Sequence, residues 1–347
     1  MNEKADRLFF ASDYMEGAHP AILQRLVETN LLHSAGYGLD EFSESAREKI
    51  RKACGAPEAD IFFLAGGTQT NATVLGTMLR PYQGVIAASS GHISAHEAGA
   101  VEFGGHKVLE LPQRQGKLVP EEVEKCIHAY REDKNHEHMV MPGMVYISQP
   151  SEYGTLYSLE ELEALHRICK ANEMALYLDG ARLAYALACP DNDVTLPDIA
   201  RLCDAFYIGG TKCGALFGEA VVFPKHNTVP HFFTMMKQHG ALLAKGRING
   251  IQFDTLFTDD LYMKIGKTAI RAADRIREAL SEKGYQLAFD TPANQIFIVL
   301  SREQADALSE QIELAFWENP DEEHSILRIA TSWATQQEDV DRLISLL

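Results

Sequence analysis

Residues 175–182 read Ala-Leu-Tyr-Leu-Asp-Gly-Ala-Arg, and residues 205–214 read Ala-Phe-Tyr-Ile-Gly-Gly-Thr-Lys-Cys-Gly. Each opens as a short apolar run without alternation, then stops on a polar residue beside glycine. Such runs suit strands buried on both faces, in a sheet covered by helices. The same signature recurs at Ile61–Leu64, Val85–Ala87, Val108–Leu109, Val145–Ile147 and Ala220–Phe223. Helical patterns lie between them. Ser158 and Glu161 make a capping box ahead of Leu162, Leu165 and Ile168, and Asp198–Leu202 is a shorter helical segment. Strands alternating with helices predict an α/β domain: a large, mainly parallel seven-stranded sheet with right-handed crossovers and helices on both faces.

After Asn249 the pattern changes. A long helix is predicted from Gly250 to Lys283, then strands at Ile296–Leu300 and Ile326–Ala330 and helices at Glu303–Trp317 and Glu338–Leu347. A second capping box, Thr335 to Glu338, precedes the last helix. This reads as a small C-terminal α+β domain, which divides the chain into residues 1–249 and 250–347. The 347 residues suit one large domain and a smaller one.

The chain carries 32 Lys and Arg against 49 Asp and Glu, a net charge of −17. That excess argues against nucleic acid, whose binding rests on clustered cations. No apolar run approaches the ~18 residues of a membrane helix, and Met1–Phe10 lacks the apolar core of a signal peptide. Six scattered cysteines without a CxxC pair read as free thiols of a cytoplasmic protein. His128, His136 and His138 lie in a charged, solvated segment, so no metal site is expected.

Three local arrangements carry chemistry. Ala65-Gly66-Gly67-Thr68-Gln69-Thr70-Asn71 follows a strand and opens a helix that Thr68 can cap; free N–H groups there suit a phosphate. No Lys follows the glycines, so this is not a Walker A loop. Asp179 ends its strand at the carboxyl edge of a parallel sheet, where ligands bind. Lys212 sits among small residues with room for a planar ligand. Alone, each has a plain alternative: a turn, a helix cap, a surface lysine. Their order matches what pyridoxal phosphate needs, namely a phosphate cradle, a carboxylate for the pyridine nitrogen and an amine for the Schiff base.

The chain resembles the threonine aldolase family, among the β-eliminating lyase-like enzymes of the aspartate-aminotransferase fold (fold type I). The likeness runs from Phe10-Ala11-Ser12-Asp13 to Leu327-Arg328-Ile329-Ala330 through Gly36-Tyr37-Gly38, Gly66-Gly67-Thr68, Gly91-His92-Ile93 with Glu97, Asp179-Gly180-Ala181-Arg182 and Thr211-Lys212. The resemblance implies pyridoxal 5'-phosphate on Lys212, with Thr211 beside it and Asp179 at the pyridine nitrogen. It implies Gly67, Thr68 and Gln69 at the phosphate and His92 stacked on the ring. Arg182 would hold the phenolic oxygen or the substrate carboxylate. Arg328 would grip that carboxylate, assisted by Ser12. Tyr37 and Arg247 would come from a neighbouring subunit, so a homodimer or homotetramer with shared sites is implied. Many members carry a His in the loop after Val145–Ile147, where this chain has Ser151.

The implied reaction cleaves the Cα–Cβ bond of a β-hydroxy-α-amino acid, converting L-threonine or L-allo-threonine to glycine and acetaldehyde. His92, or a water it orders, is the first candidate for the base, ahead of His96 and Glu97. The alternatives are β-elimination, an aldolase of phenylserine type, and a cofactor-free binding module.

Overall fold

A computed structural model of the chain describes residues 7–347. Residues 1–6, part of the Met1–Phe10 stretch considered above, lie outside the described residues. The seven apolar runs become β1 (Asp60–Leu64), β2 (Gln83–Ala88), β3 (Val108–Leu111), β4 (Met141–Ser148), β5 (Ala175–Asp179), β6 (Ala205–Gly209) and β7 (Glu219–Phe223), all in one sheet. Their spatial order is β1-β7-β6-β5-β4-β2-β3. Only β7 runs against its neighbours, antiparallel to β1 and to β6. Period-two alternation is present but hidden, because both faces are apolar. Ile86, Val145, Ile147, Leu176 and Leu178 enter one core, while Val85, Met144, Tyr146, Tyr177 and Tyr207 enter the other.

The small sheet has the order β8 (Gln286–Leu287), β9 (Gln295–Ser301), β11 (His324–Ala330), β10 (Ala315–Glu318), all antiparallel. It encloses a third core built around Ile296, Ile298, Ile329, Ile276 and Leu343. Leu8 and Phe10 belong to this core too. Leu8–Phe9 pairs in parallel with Ile312–Glu313, and Phe10 accepts from the Ala330 N–H at 2.8 Å. The N-terminal arm thus closes on the last third of the chain.

Three sequence expectations are corrected. The helix expected over Gly250–Lys283 is two, Arg247–Leu256 and Leu261–Glu282, broken where Asp259 and Asp260 take positive φ of 51° and 59°. The helix expected over Glu303–Trp317 ends at Ser309. The chain then turns into Ile312–Glu313 and β10, because Ala315 and Phe316 pair with Arg328 and Leu327 of β11, with Trp317 at a bulge in the register. The final helix starts at Gln337 behind Gln336, without a side-chain cap, and Thr335 instead accepts from the Ser332 N–H. The Ser158–Glu161 capping box is present in full.

The long helix Leu261–Glu282 crosses helix Leu183–Ala188 at Gly266, where an added Cβ would lie 2.1 Å from the Ala184 carbonyl oxygen. Backbone cannot yield as a side chain can. Gly266→Ala is expected to destabilise the fold by about 1–3 kcal/mol in urea denaturation. Gly17→Ala, which meets nothing within 4 Å, should leave the midpoint in place.

Candidate active site

The carboxyl ends of β4, β5 and β6, the turn after β1 and the start of β7 converge on a cavity of about 310 Å3. This is the edge at which parallel sheets bind ligands. A second hollow of about 380 Å3 shares Tyr14, His92, Glu152, Arg182 and Lys212 with it and reaches out to Trp317 and Arg328.

On the floor, at the end of the central strand, lies Asp179, buried and saturated. Its Oδ2 accepts from Tyr146 Oη at 2.7 Å and Asn71 Nδ2 at 3.0 Å; its Oδ1 accepts from Tyr207 Oη at 2.5 Å and the Ala181 N–H at 3.0 Å. Burial opposes its ionisation, but the nearby His92 ring and the Tyr207, Asn71 and Tyr146 donors prevail and lower its pKa. Burial pushes the Tyr146 and Tyr207 phenols well up, so they remain donors.

Helix Gly67–Met78 begins on one wall. Its N-cap is Gly66, without a side-chain cap, so Thr68 lies inside the first turn rather than capping it. The Thr70 N–H is the first to return to the chain, at Gly66 O. The N–H groups of Gly67, Thr68 and Gln69 are therefore open at the positive end of the helix dipole, a seat for an anion. Gly67 and Thr68 line the cavity. The Gln69 side chain folds back instead, accepting from the Ala65 N–H and donating to His239 O.

Lys212 follows β6 beside Thr211, and Tyr185 Oη donates to its carbonyl at 2.5 Å. Desolvation, then repulsion from Arg182, lowers the lysine's pKa and favours the neutral, nucleophilic amine. His92 opens a short helical turn; its Nδ1 meets Glu97 Oε1 at 2.7 Å, and its N–H donates to Glu152 Oε1 at 2.9 Å. Against a carboxylate, Nδ1 carries the hydrogen and Nε2 is left as the acceptor. His96 stands 5.7 Å from His92 and 6.0 Å from Trp317, ring to ring; burial, then His92, lowers its pKa.

Arg182 donates from Nε (2.6 Å) and Nη2 (3.0 Å) to both oxygens of fully buried Asp13, which Asn294 also contacts at 2.9 Å. Arg328 donates from Nη1 to Gln295 Oε1 and from Nη2 to Ala11 O. Its buried Nε has no partner among the described residues. Ser12 lines neither hollow; its hydroxyl accepts from the Tyr14 N–H. Ser151 does line the cavity, but its hydroxyl is shared with Thr155 at 2.6 Å.

Tyr37 and Arg247 stand apart. Tyr37 lines a different cleft, with Lys237 over its ring at 4.8 Å. Arg247 lines another, donating to Ser34, Leu32 O and Thr29 O. Among the described residues no His, Cys, Asp or Glu cluster is able to hold a metal ion. No helix is long and apolar enough to cross a membrane.

Sequence reasoning assigned no role to Asp13, Tyr146, Glu152, Tyr207, Glu219 or Gln295. The tyrosines carried a signal: a Tyr within a doubly buried strand needs a partner for its hydroxyl.

An uncapped helix start for a phosphate, a low-pKa carboxylate on the floor and a desolvated amine fit pyridoxal 5'-phosphate. With the seven-stranded sheet they define a fold type I, pyridoxal-phosphate-dependent enzyme. A model of the beta-eliminating lyase family matches residues 10–313, and the chain belongs to that family. Low specificity L-threonine aldolases of Pseudomonas aeruginosa and of another Pseudomonas are each 30% identical to it, with 86% of both chains covered. The solved structure of a Leishmania major threonine aldolase superposes with a TM-score of 0.94 at 40% identity, covering 98% of each chain. A Thermus thermophilus aspartate aminotransferase, at 16% identity and TM-score 0.72 over 99% and 91% of the chains, shares the fold.

The Asp13–Arg182 pair makes a pH prediction. Burial raises the Asp13 pKa, but the Arg182 charge and hydrogen bonds outweigh this and hold it at about 2, against 3.8. A depressed carboxyl stabilises the fold fully above its unfolded pKa and loses that contribution as pH falls through the folded one. Asp13→Asn, which leaves Arg182 buried and unpaired, should cost about 3–5 kcal/mol at neutral pH. In chemical denaturation the gap from wild type should narrow as pH drops from 4 towards 2; a constant gap counts against the pair.

Proposed function

We propose that the chain cleaves the Cα–Cβ bond of a β-hydroxy-α-amino acid, taking L-threonine or L-allo-threonine to glycine and acetaldehyde. The observation that carries this reading is one hollow lined by an amine, a histidine base and a carboxylate-binding arginine: Lys212, His92 and Arg328. The similarity to low specificity L-threonine aldolases supports the substrate.

Bound pyridoxal 5'-phosphate supplies an electron sink for the pair left at Cα when the bond breaks. The chain's residues do the rest. Lys212 holds the cofactor through its amine, with Thr211 beside it. The open N–H groups of Gly67, Thr68 and Gln69 take the phosphate, and Asp179 keeps a negative charge at the pyridine nitrogen. Arg328, with a free Nε and a planar fork, takes the substrate carboxylate. Arg182 contributes only Nη1, since Nε and Nη2 belong to Asp13. Ser12 supports this end from the same arm. His92 accepts the β-hydroxyl proton at Nε2. Glu97 moves from candidate base to the partner that fixes the histidine's tautomer. Ser151, engaged with Thr155, takes no part in that proton transfer.

We further propose a cytoplasmic homodimer or homotetramer with shared sites. Leu23, Val27, Leu31, Leu32 and Leu39 are exposed apolar residues, of which Leu32 lines the cleft that holds Arg247 and Leu39 the one that holds Tyr37, which supports burial against a second copy. Tyr37 and Arg247 then complete a neighbour's site. Residues 1–249 and 250–347 serve as the cofactor-holding and substrate-closing units, with the arm of residues 8–13 crossing between them.

Supplied with L-threonine or L-allo-threonine, the cofactor-loaded protein should release glycine and acetaldehyde. Lys212→Ala should lose that activity and the visible absorbance of bound cofactor together. Release of 2-oxobutanoate and ammonia instead would mean β-elimination, and an active Lys212→Ala protein would remove Lys212 from its role. Sharing of sites has its own test. Inactive Lys212→Ala and Arg247→Ala proteins, unfolded and refolded together, should regain up to about a quarter of wild-type activity. In the mixed dimers one site draws both intact residues, one from each subunit. No recovery would place Arg247 in its own subunit's site.

A further inference from the structure

Glu219 is the buried acid that this chemistry leaves without a task. It opens β7, the one reversed strand, so its side chain stands at the carboxyl edge among groups from parallel strands. In register it faces Leu64 on one side and Gly209 on the other. Those are the last residues before the glycine loop of the phosphate cradle and before the loop bearing Lys212. Glu219 lines the same cavity as Gly66, Gly67, Thr68 and Lys212. Its Oε2 accepts from the Gly210 N–H at 3.0 Å and its Oε1 from Thr211 Oγ1 at 2.7 Å, while Thr211 Oγ1 accepts from the Gly218 N–H at 3.0 Å. A carboxylate is thus tied to the lysine loop beside a seat that fits a phosphate. Two anions side by side in a desolvated wall repel strongly.

We propose that Glu219 is a positioning residue for cofactor loading, which holds the Gly210–Lys212 loop as a carboxylate and becomes a neutral acid, with a proton taken from solvent, when the cofactor phosphate occupies the neighbouring cradle. The inference rests on the reading of Gly67–Gln69 as the phosphate seat. Glu219 is already poised for this step. Burial pushes its pKa up to about 7, only partly offset by Thr211, the Lys212 charge and the Gly210 N–H, with Asp179 pushing the same way as burial. The other titratable groups that face it are Tyr207 and Tyr177 on the sheet, Tyr262 on the long helix and Cys213 after the lysine. Burial raises the pKa of all four, so none supplies a charge to replace the proton. Lys212 is the one cation among these neighbours, and its amine is consumed in holding the cofactor.

The test is calorimetric titration of cofactor-stripped protein at pH 8 in two buffers of different ionisation enthalpy, which yields the protons taken up on binding. Pyridoxal 5'-phosphate should draw close to one proton more into wild type than into Glu219→Gln. Pyridoxal, which has no phosphate, should show no difference between them. Above neutrality the wild-type Kd for the phosphate ester should rise up to about tenfold per pH unit more steeply than that of Glu219→Gln. Equal uptake of the phosphate ester by both proteins, or a difference that persists with pyridoxal, overturns the proposal. Should Glu219→Gln not fold, wild type alone decides: uptake must be larger with the phosphate ester than with pyridoxal. If wild type binds pyridoxal 5'-phosphate with its visible absorbance but without this excess, only the role of Glu219 falls. If it binds none, the cofactor reading falls as well.

Discussion

One buried carboxylate organises the catalytic edge of the sheet. Asp179 ends the central strand, and each donor that holds it comes from a different element: Tyr146 from β4, Tyr207 from β6, Asn71 from the helix after the glycine loop, and its own turn at Ala181. A charge desolvated this far survives only if it is fully partnered. The strands beside it must therefore present hydroxyl groups at that level, and the glycine-loop helix must run close enough to bring Asn71 across. Asn71 Nδ2 also reaches Glu97 at 2.7 Å, and Glu97 holds His92. The floor of the cavity and His92 are thus linked through one amide.

A second pair ties the N-terminal arm to the middle of the chain. Asp13 and Arg182 meet in a bidentate bridge, and the same short arm gives its Ala11 carbonyl to Arg328 and its Phe10 carbonyl to Ala330. The arm is a strap. It sets both arginines at once, one rooted in the large sheet and one in the small. Gln295 adds to this by accepting from Arg328 while donating to the Glu152 carbonyl. Both guanidinium groups are therefore held by residues remote in sequence, so their positions are fixed by the fold itself.

The large sheet was legible in the amino-acid sequence because doubly buried strands admit little but apolar residues, which leaves them short and unmistakable between charged helices. Asp179, Lys212 and the glycine loop were legible only together, because each alone passes as a helix cap, a surface lysine or a plain turn, and their order along the chain is what pointed to a cofactor. Other features were not. Ala315-Phe316-Trp317 continues a helical-looking stretch, and only pairing with β11, absent from any local pattern, makes it a strand. The hydroxyl groups around Asp179 hid inside apolar runs, since a tyrosine reads as core until its partner is known. Asp13 was visible as a landmark but not as the mate of Arg182, because the pairing spans 169 positions. Tyr37 and Arg247 lie away from the cavity that holds Lys212, and nothing in their local sequence says where they act.

The strap also has a consequence for how the molecule is made. Residues 8–13 leave the ribosome well ahead of Asn294, Ile312, Arg328 and Ala330, with which they pair. Throughout synthesis of the large sheet, Leu8 and Phe10 have no core to enter, because Ile296, Ile298, Ile329 and Leu343 are not yet made. Closure of the strap is therefore a late event of folding, coupled to formation of the small sheet. A nascent chain stalled before residue 294 would hold a nearly finished large sheet with Leu8 and Phe10 still facing water, and in that state hold-up by a chaperone would be most useful.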